Sequence, residues 1–212
     1  ELSIGGSAAP RAMIEAFEQI DVSVCHAWGM TEMSPVGTVG HLPPWLADKP
    51  LDDRVDMKAK QGRRCFGVDL KIVDDQGARL PHDGQASGEL YVRGNAIVSG
   101  YFANPQATEQ ALDADGWFGT GDVATIDPDG FLQITDRAKD LIKSGGEWIS
   151  SLDVENMAMS HPGIANCAGI AVPHPKWDER PLMVAVAAEA PPPAKSEILE
   201  HLAHPLAKGH LP

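Results

Sequence analysis

The chain opens with "ELSIGGSAAPRAMIEAFEQIDVSVCHAWGMTE", residues 1–32, and this stretch decides how the fold begins. "ELSIGG" predicts a short strand, Pro10 suits the first turn of a helix, and "DVSVCHAW" predicts a second strand. Between the strands, apolar residues recur at helical spacing: Met13, Ile14, Phe17 and Ile20. Such a βαβ unit usually binds ligands beyond the C-terminal ends of its strands. The loops "GGSAAP" and "WGMTE" fall at those ends, so they are the first candidates for a binding site.

The middle of the chain changes to an apolar period of two from about residue 63, which is typical of half-buried strands. "GVDLKIVD" and "GELYVRG" predict two strands, and "DVATI", "DPDG" and "FLQITDR" predict a strand, a turn and a strand. We expect this part to form a small antiparallel sheet or barrel.

The last third mixes helices and strands. After Arg137 the sequence predicts a Gly-Gly hairpin at 145–146, a helix near 151–160, strands near 166–172 and 181–188, and a helix from Ser196 that Pro205 ends or kinks. The fold class predicted for the whole chain is therefore α/β, mixed with α+β.

Composition limits the function. The net charge of -13 argues against general nucleic-acid binding, so any anionic ligand must be held by local groups. No apolar run approaches the roughly 20 residues needed to span a membrane, and the first 20 residues do not resemble a signal peptide. The three cysteines, Cys25, Cys65 and Cys167, form no CxxC pair, and the eight histidines form no metal-binding spacing. These features predict a soluble, cytoplasmic protein.

Four segments carry a family resemblance. "GGSAAP", "HAWGMTE", "GWFGTGDVATIDPDGFLQITDR" and "KDLIKSGGEWIS" occur in the order and approximate spacing of the adenylate-forming enzymes, which include acyl-CoA synthetases, peptide-synthetase adenylation domains and firefly luciferase. The resemblance covers nearly the whole chain, and within the superfamily it is greatest to the medium-chain fatty-acid CoA ligases. It implies two domains: residues 1–138 as the C-terminal part of the AMP-binding N-domain, and residues 139–212 as a truncated, mobile C-terminal domain.

The first two segments would contact ATP. By resemblance, Thr31 donates to phosphate and Glu32 binds magnesium, because crowded phosphates need a metal and hydroxyl donors. Trp28 and Gly29 resemble the aromatic-glycine pair beside the adenine, where a ring can stack on the base. The residues expected to line the adenine and acyl side are Gly5, Gly6 and Ser7. The alternatives are an exposed turn with a helix-capping threonine and a tryptophan of the core.

The third segment would hold the ribose. Asp122 in "TGD" resembles the family aspartate that accepts hydrogen bonds from both ribose hydroxyls, and Arg137 would donate to the ribose or phosphate. By the same resemblance, Ile134 in "FLQITDR" is also expected to be a nucleotide-binding residue. Taken alone, an aspartate beside a glycine is a turn residue. Gly119 stands where the family usually has a basic residue, which weakens an extra phosphate contact there.

The fourth segment would serve the second half-reaction. Lys139 matches the family hinge about which the C-terminal domain swings. Lys143 matches a lysine that the swing brings to the active site, and Gly145 and Gly146 match the loop along the pantetheine path. The alternatives are a surface lysine and an ordinary hairpin turn.

The resemblance predicts part of an acid-CoA ligase that uses a small-molecule carboxylic acid, ATP, Mg²⁺ and coenzyme A, and a homo-oligomer is compatible with it. Neither a phosphate loop of the type "SGTTGxPK" nor the C-terminal "GK" lysine occurs in the 212 residues, so this chain alone is expected to be inactive. Two alternatives stay open: an adenylation domain that loads an amino or aryl acid onto a carrier protein, and a non-catalytic nucleotide-binding module.

Overall fold

The computed structural model describes residues 1–145, 147–203 and 211. The chain divides into two compact units, Glu1–Ile134 and Thr135–Pro212. The domain boundary expected after residue 138 lies a few residues beyond this division, which falls between Ile134 and Thr135, and it stays a prediction. None of the helices in the described part of the chain has the length and apolar character needed to cross a membrane.

The first unit is built on one mixed sheet of eight strands, in the order β1-β2-β3-β4-β8-β7-β6-β5. These strands are β1 (Leu2–Ile4), β2 (Val24–Gly29), β3 (Val36–Val39), β4 (Gly62–Arg64), β5 (Val68–Val73), β6 (Ser87–Gly94), β7 (Phe118–Ile126) and β8 (Phe131–Arg137), which runs on past the boundary. The helices are α1 (Arg11–Glu18), α2 (Leu51–Ala59) and α3 (Pro105–Ala111), with short 3-10 helices at Thr31–Met33 and Pro44–Leu46.

The predicted βαβ unit is confirmed. Strands β1 and β2 are parallel neighbours, with Leu2 opposite Val24, and α1 connects them. Ile14 on α1 is fully buried and packs with Val24 and with Val55 of α2. Ile20, which continues the apolar spacing, lies beyond the end of α1 and is exposed.

The predicted antiparallel strands are also confirmed. Strand β6 pairs with β5 and with β7 in antiparallel fashion, and the whole group continues the sheet of the βαβ unit instead of forming a separate one. The side chains on one face make a core, as the period of two predicts: Ile72, Leu90, Ala124, Ile126 and Leu132.

The described residues of the second unit form a four-stranded antiparallel sheet and two helices. Its elements are β9 (Ile142–Ser144), β10 (Glu147–Ile149), α4 (Ser151–Met159), β11 (Ile164–His174), β12 (Asp178–Ala187) and α5 (Lys195–Ala203), with strand order β10-β9-β12-β11. The Ser150 hydroxyl caps α4 by accepting the Asp153 N–H at 3.0 Å. The two helices and two strands predicted here are confirmed, while Pro205 lies outside the described residues.

Candidate active site

The two glycine-bearing loops meet at one edge of the sheet. Ile4 at the end of β1 lies opposite His26 in β2, so the loops that follow the two strands leave side by side. Gly5 lies against the backbone of β2, because a Cβ built there would be 3.3 Å from the Ala27 carbonyl oxygen. Gly6 has a φ of +84°, in the region that favours glycine. "GGSAAP" therefore turns sharply beside β2, as the βαβ prediction requires.

A tight turn precedes Thr31 and Glu32. A Cβ on Gly29 would lie 1.9 Å from the Pro35 carbonyl oxygen, so only glycine allows the chain to double back here. Thr31 begins the 3-10 helix, and within the described residues no side chain caps that helix. The helix-capping alternative for Thr31 is therefore not what the structure contains, and the threonine side chain is exposed.

A tyrosine holds the Glu32 carboxylate. The Tyr101 hydroxyl donates to Glu32 Oε1 at 2.9 Å, and the Val98 N–H donates to the Glu32 carbonyl oxygen at 2.9 Å. Burial and this hydrogen bond raise the pKa of Tyr101. Among the residues the structure describes, no lysine, arginine or histidine forms an ion pair with Glu32. The carboxylate is oriented, and its charge is not compensated by a cation of the described chain.

Thr31 and Glu32 fit a magnesium-bound phosphate. Mg²⁺ in proteins takes oxygen ligands, usually one or two carboxylates together with substrate phosphates and water. Here an exposed hydroxyl and a carboxylate without an ion-pair partner among the described residues belong to consecutive residues, and they are donors of the kind that such a complex needs.

Asp122 and Trp28 are joined directly. The Trp28 Nε1–H donates to Asp122 Oδ2 at 2.9 Å, although 94 residues separate the two in sequence. Asp122 is 2% exposed and lies within β7, so it is not the turn residue that the simpler interpretation expected. The Trp28 ring also packs against core residues of the first unit. The core interpretation of Trp28 is therefore confirmed in part, and the same residue also positions a buried carboxylate, while its place beside an adenine stays a prediction.

Ile134 is held through a backbone hydrogen bond. Its N–H donates to the side-chain oxygen of Gln61 at 2.7 Å, and the buried Gln61 also donates its own N–H to Leu132 O at 2.9 Å. Gln61 therefore fixes the end of β8 within the first unit. Gly119 lies beside Tyr91, whose ring would be 3.2 Å from a Cβ at this position.

The remaining predicted residues belong to the second unit. Arg137 ends β8 and its N–H donates to Asp136 Oδ1 at 2.6 Å, while Lys139 is exposed in the following turn. Lys143 is exposed on β9, and its backbone N–H donates to Glu179 Oε2 at 2.8 Å. Gly145 has a φ of +62° and donates its N–H to the Trp177 carbonyl oxygen at 2.8 Å. Gly146 lies outside the described residues.

Three residues that contact or adjoin the candidate site were not indicated by the sequence. Tyr101 and Gln61 act on Glu32 and Ile134 from 69 and 73 residues away, so no local spacing indicates them. His26 is 1% exposed beside the first loop, and its Nδ1 lies 3.0 Å from the Ala59 carbonyl oxygen. Burial lowers the pKa of His26, although hydrogen bonds to backbone groups of Ala59 and Ser7 oppose this.

Parallel strands that end in glycine loops, with a carboxylate and a hydroxyl beside them, define a site suited to a phosphorylated ligand. Comparison with known proteins agrees. Residues 1–102 match the family model described as AMP-binding enzyme, and residues 153–212 match that of the AMP-binding enzyme C-terminal domain. The chain belongs to the AMP-binding enzyme family.

Curated relatives are named as CoA ligases. The chain is 52% identical over 210 residues to 3-methylmercaptopropionyl-CoA ligase from Ruegeria lacuscaerulensis, and 47% identical over 211 residues to medium-chain-fatty-acid–CoA ligase from Ectopseudomonas oleovorans. Each alignment takes in 99% of this chain and 38% of the relative. The chain therefore spans well under half the length of these enzymes.

Solved structures support the same fold. The o-succinylbenzoate CoA synthetase of Bacillus subtilis, in complex with its acyl-adenylate intermediate, superposes with a TM-score of 0.85 at 30% identity, over 99% of this chain and 40% of that one. The same synthetase in complex with ATP and a magnesium ion gives a TM-score of 0.83 at 28% identity, over 99% of this chain and 41% of that one.

Proposed function

We propose that the full-length enzyme carrying these residues is an AMP-forming acid-CoA ligase. A carboxylic acid and ATP would give an acyl-adenylate and pyrophosphate, and CoA would then displace AMP to give the acyl-CoA. The observation that carries the proposal is the Trp28–Asp122 hydrogen bond, which joins the "WGMTE" segment to the "TGD" segment. Two segments that are proposed to bind the same nucleotide are thereby joined within a single compact unit, which supports the proposal.

The first step would use the loop after β2. The Thr31 hydroxyl would donate to a phosphate oxygen of ATP, and Glu32 would hold a magnesium ion, whose positive charge would offset the negative charge of the triphosphate. Tyr101 keeps the Glu32 carboxylate in place through the 2.9 Å hydrogen bond. An oriented group loses less conformational freedom when the ligand arrives, which favours binding.

The nucleoside would be held by groups from several elements. Asp122 accepts hydrogen bonds from the ribose hydroxyls, the Trp28 ring lies beside the adenine, and the backbone near Ile134 borders the same pocket. Gly5, Gly6, Ser7 and Gly29 allow the backbone close to the ligand, and Arg137 is proposed to donate to the ribose or phosphate.

The second step would depend on rotation about Lys139, which brings Lys143 and the loop of Gly145 and Gly146 toward the adenylate. Lys143→Ala in the full-length enzyme should slow acyl transfer to CoA by about three- to tenfold, since one charged contact is lost only in that step. Adenylate formation should change by less than about twofold. Single-turnover measurements of the two half-reactions separate these effects.

Lys195→Ala is the matched control, because Lys195 is another exposed lysine of the second unit that the proposal does not use. It should leave both half-reactions unchanged. Equal loss of both steps in Lys143→Ala would contradict the proposed rotation.

The test of the overall proposal is pyrophosphate release by the full-length enzyme with acids of two to eighteen carbons, with and without CoA. Release with at least one acid, and an acyl-CoA product when CoA is present, is expected. Adenylate formation without acyl-CoA would favour loading of a carrier protein, and no release with any acid would favour a non-catalytic nucleotide-binding module. A cytoplasmic location and a homo-oligomer stay predictions, and sedimentation of the purified protein tests the second.

A further inference from the structure

A cavity of about 810 Å³ lies in the first unit, beside β4, β5 and β7. Its lining includes four arginines: Arg63, Arg64, Arg79 and Arg93. Of the described residues in this lining, two are carboxylates, Asp69 and Asp129. The chain as a whole has a net charge of -13, so its overall field repels anions. Four guanidinium groups around one cavity are a local exception, since they attract anions.

Three of these arginines have no acidic partner among the residues that the structure describes. Arg64 pairs with Asp69 at 2.7 Å. Among the described residues, no carboxylate lies within ion-pair distance of Arg63, Arg79 or Arg93. Arginine binds planar oxyanions with two parallel hydrogen bonds, and that capacity is not used by a carboxylate here.

Three cationic side chains lie against the Trp117 ring. The Arg93 guanidinium lies 4.5 Å and the Arg79 guanidinium 5.4 Å from the centre of its ring. Lys71 Nζ lies 4.7 Å from the same ring, but it also pairs with Asp113 at 2.7 Å. The tryptophan is 6% exposed, and its backbone N–H donates to Asp113 at 2.8 Å. A fixed ring thus lies beside two arginines that form no ion pair with a carboxylate of the described chain.

The rest of the lining agrees with a positive potential. His82 lines the cavity, and burial together with the charge of Arg79 lowers the pKa of this histidine. The lining also includes three apolar residues, Leu70, Leu80 and Ile126. Apolar walls reduce the local dielectric and strengthen the attraction between a bound anion and the guanidinium groups.

We propose that this cavity binds a phosphate-bearing ligand through Arg63, Arg79 and Arg93. A phosphate monoester or diphosphate carries two or more negative charges near pH 7, so it can pair with several guanidinium groups where a single carboxylate cannot. None of the lining residues belongs to the proposed nucleotide site, so this is a second site on the first unit. The phosphate group can come from a soluble metabolite or from a lipid headgroup.

The test uses the 212-residue chain. Calorimetric titration with sodium pyrophosphate, without a divalent metal, is compared for the unchanged chain, Arg79→Gln and Arg93→Gln. Both arginines are exposed, so these substitutions should leave the fold intact, which circular dichroism checks. We expect each to raise the Kd at least about fivefold, because one charge-assisted pair is lost.

Arg11→Gln is the matched control. It removes the same charge from the same unit, but Arg11 is already paired with Asp52 at 2.6 Å and Asp56 at 2.7 Å. It should change the Kd by less than about twofold. Cosedimentation with phosphatidylcholine vesicles, with and without phosphatidic acid, tests the lipid source with the same three variants.

Pyrophosphate binding that both cavity variants weaken supports a soluble ligand. Binding only to phosphatidic acid vesicles, weakened by the same variants, supports a lipid ligand. Three results would overturn the proposal: binding of neither probe, equal binding by the cavity variants and the unchanged chain, or a loss in Arg11→Gln as large as in the cavity variants.

Discussion

Replacing Lys58 by alanine is expected to lower the free energy of unfolding of the first unit by about 3–5 kcal/mol. Lys58 is 4% exposed and donates to Glu18, whose side chain is 5% exposed, and also to Ser23 Oγ at 2.9 Å. The pair connects the end of α1 to α2. Removing the ammonium group leaves a buried carboxylate without the cation that compensates its charge.

Two contacts limit the loss. Glu18 Oε1 still accepts the Val24 N–H at 2.9 Å, and Glu18 Oε2 lies 3.7 Å from Arg54 Nη1. We therefore expect the lower half of the range. Urea unfolding of the 212-residue chain, fitted with separate transitions for its two compact units, measures the change.

Arg11→Gln is again the matched control. It removes ion pairs with Glu15, Asp52 and Asp56, but these carboxylates and the guanidinium are partly or largely exposed to solvent. Surface ion pairs contribute about 0–1 kcal/mol, so this variant should lose far less stability than Lys58→Ala despite breaking more contacts. Equal losses in the two variants would show that burial does not decide the strength of the Glu18–Lys58 pair.

The same pair predicts a dependence on pH. Burial alone would raise the pKa of Glu18, but hydrogen bonds from Lys58 and Val24 and the charges of Lys58 and Arg54 outweigh it, so the pKa is lowered. A carboxyl group whose pKa is lower in the folded state stabilises the fold above its unfolded pKa, about 4.3. That contribution is lost as the pH falls through the lower, folded pKa. The difference in stability between the unchanged chain and Lys58→Ala should therefore narrow in acid.

The sequence predicts those elements whose apolar pattern is local. Residues 1–29 give a βαβ unit because apolar residues recur at helical spacing between two short apolar runs. The strands from Val68 onward are predicted by the alternation of apolar and polar residues along the sequence. The helix from Ser151 has a hydroxyl cap before it and a proline soon after it.

Other elements have no such pattern. Helix α2 has the sequence "LDDRVDMKA", and its two buried side chains are Val55 and Lys58. A buried lysine is polar in sequence, so the inward face of this helix cannot be recognised without its partner on α1. Strands β3 and β4 are only four and three residues long, and their pairing with distant strands defines them.

The candidate site shows the same division. Motifs indicated Thr31, Glu32 and Asp122, because each stands in a short segment whose residue types resemble a family pattern. The residues that orient them, Tyr101 for Glu32 and Trp28 for Asp122, are contacts between segments far apart in the chain. A sequence without an alignment carries no signal for such pairs, so the orienting role of each appears only in the folded chain.

Asp122→Ala should lower kcat/KM for ATP in the full-length enzyme at least about tenfold. The reason is the loss of two hydrogen bonds from the ribose hydroxyls to a charged acceptor, each contributing about 1.5–3 kcal/mol less the replacement by water. Asp122→Asn keeps an oxygen that can accept the Trp28 N–H but removes the charge, so its loss should be intermediate. Steady-state kinetics with ATP as the varied substrate measure both variants.

A loss of activity in Asp122→Ala could also be indirect. Trp28 donates a 2.9 Å hydrogen bond to Asp122, so the substitution removes the carboxylate and also frees the indole ring to move. Trp28→Phe separates the two effects. It keeps an aromatic ring for the base and keeps the Asp122 carboxylate, while it removes the N–H that positions that carboxylate. If Asp122 binds the ribose directly, Trp28→Phe costs clearly less than Asp122→Ala in kcat/KM for ATP, and AMP affinity of the 212-residue chain falls in the same order. If the two variants lose equally, the carboxylate serves only to fix the tryptophan, and the ribose contact must be assigned to another group.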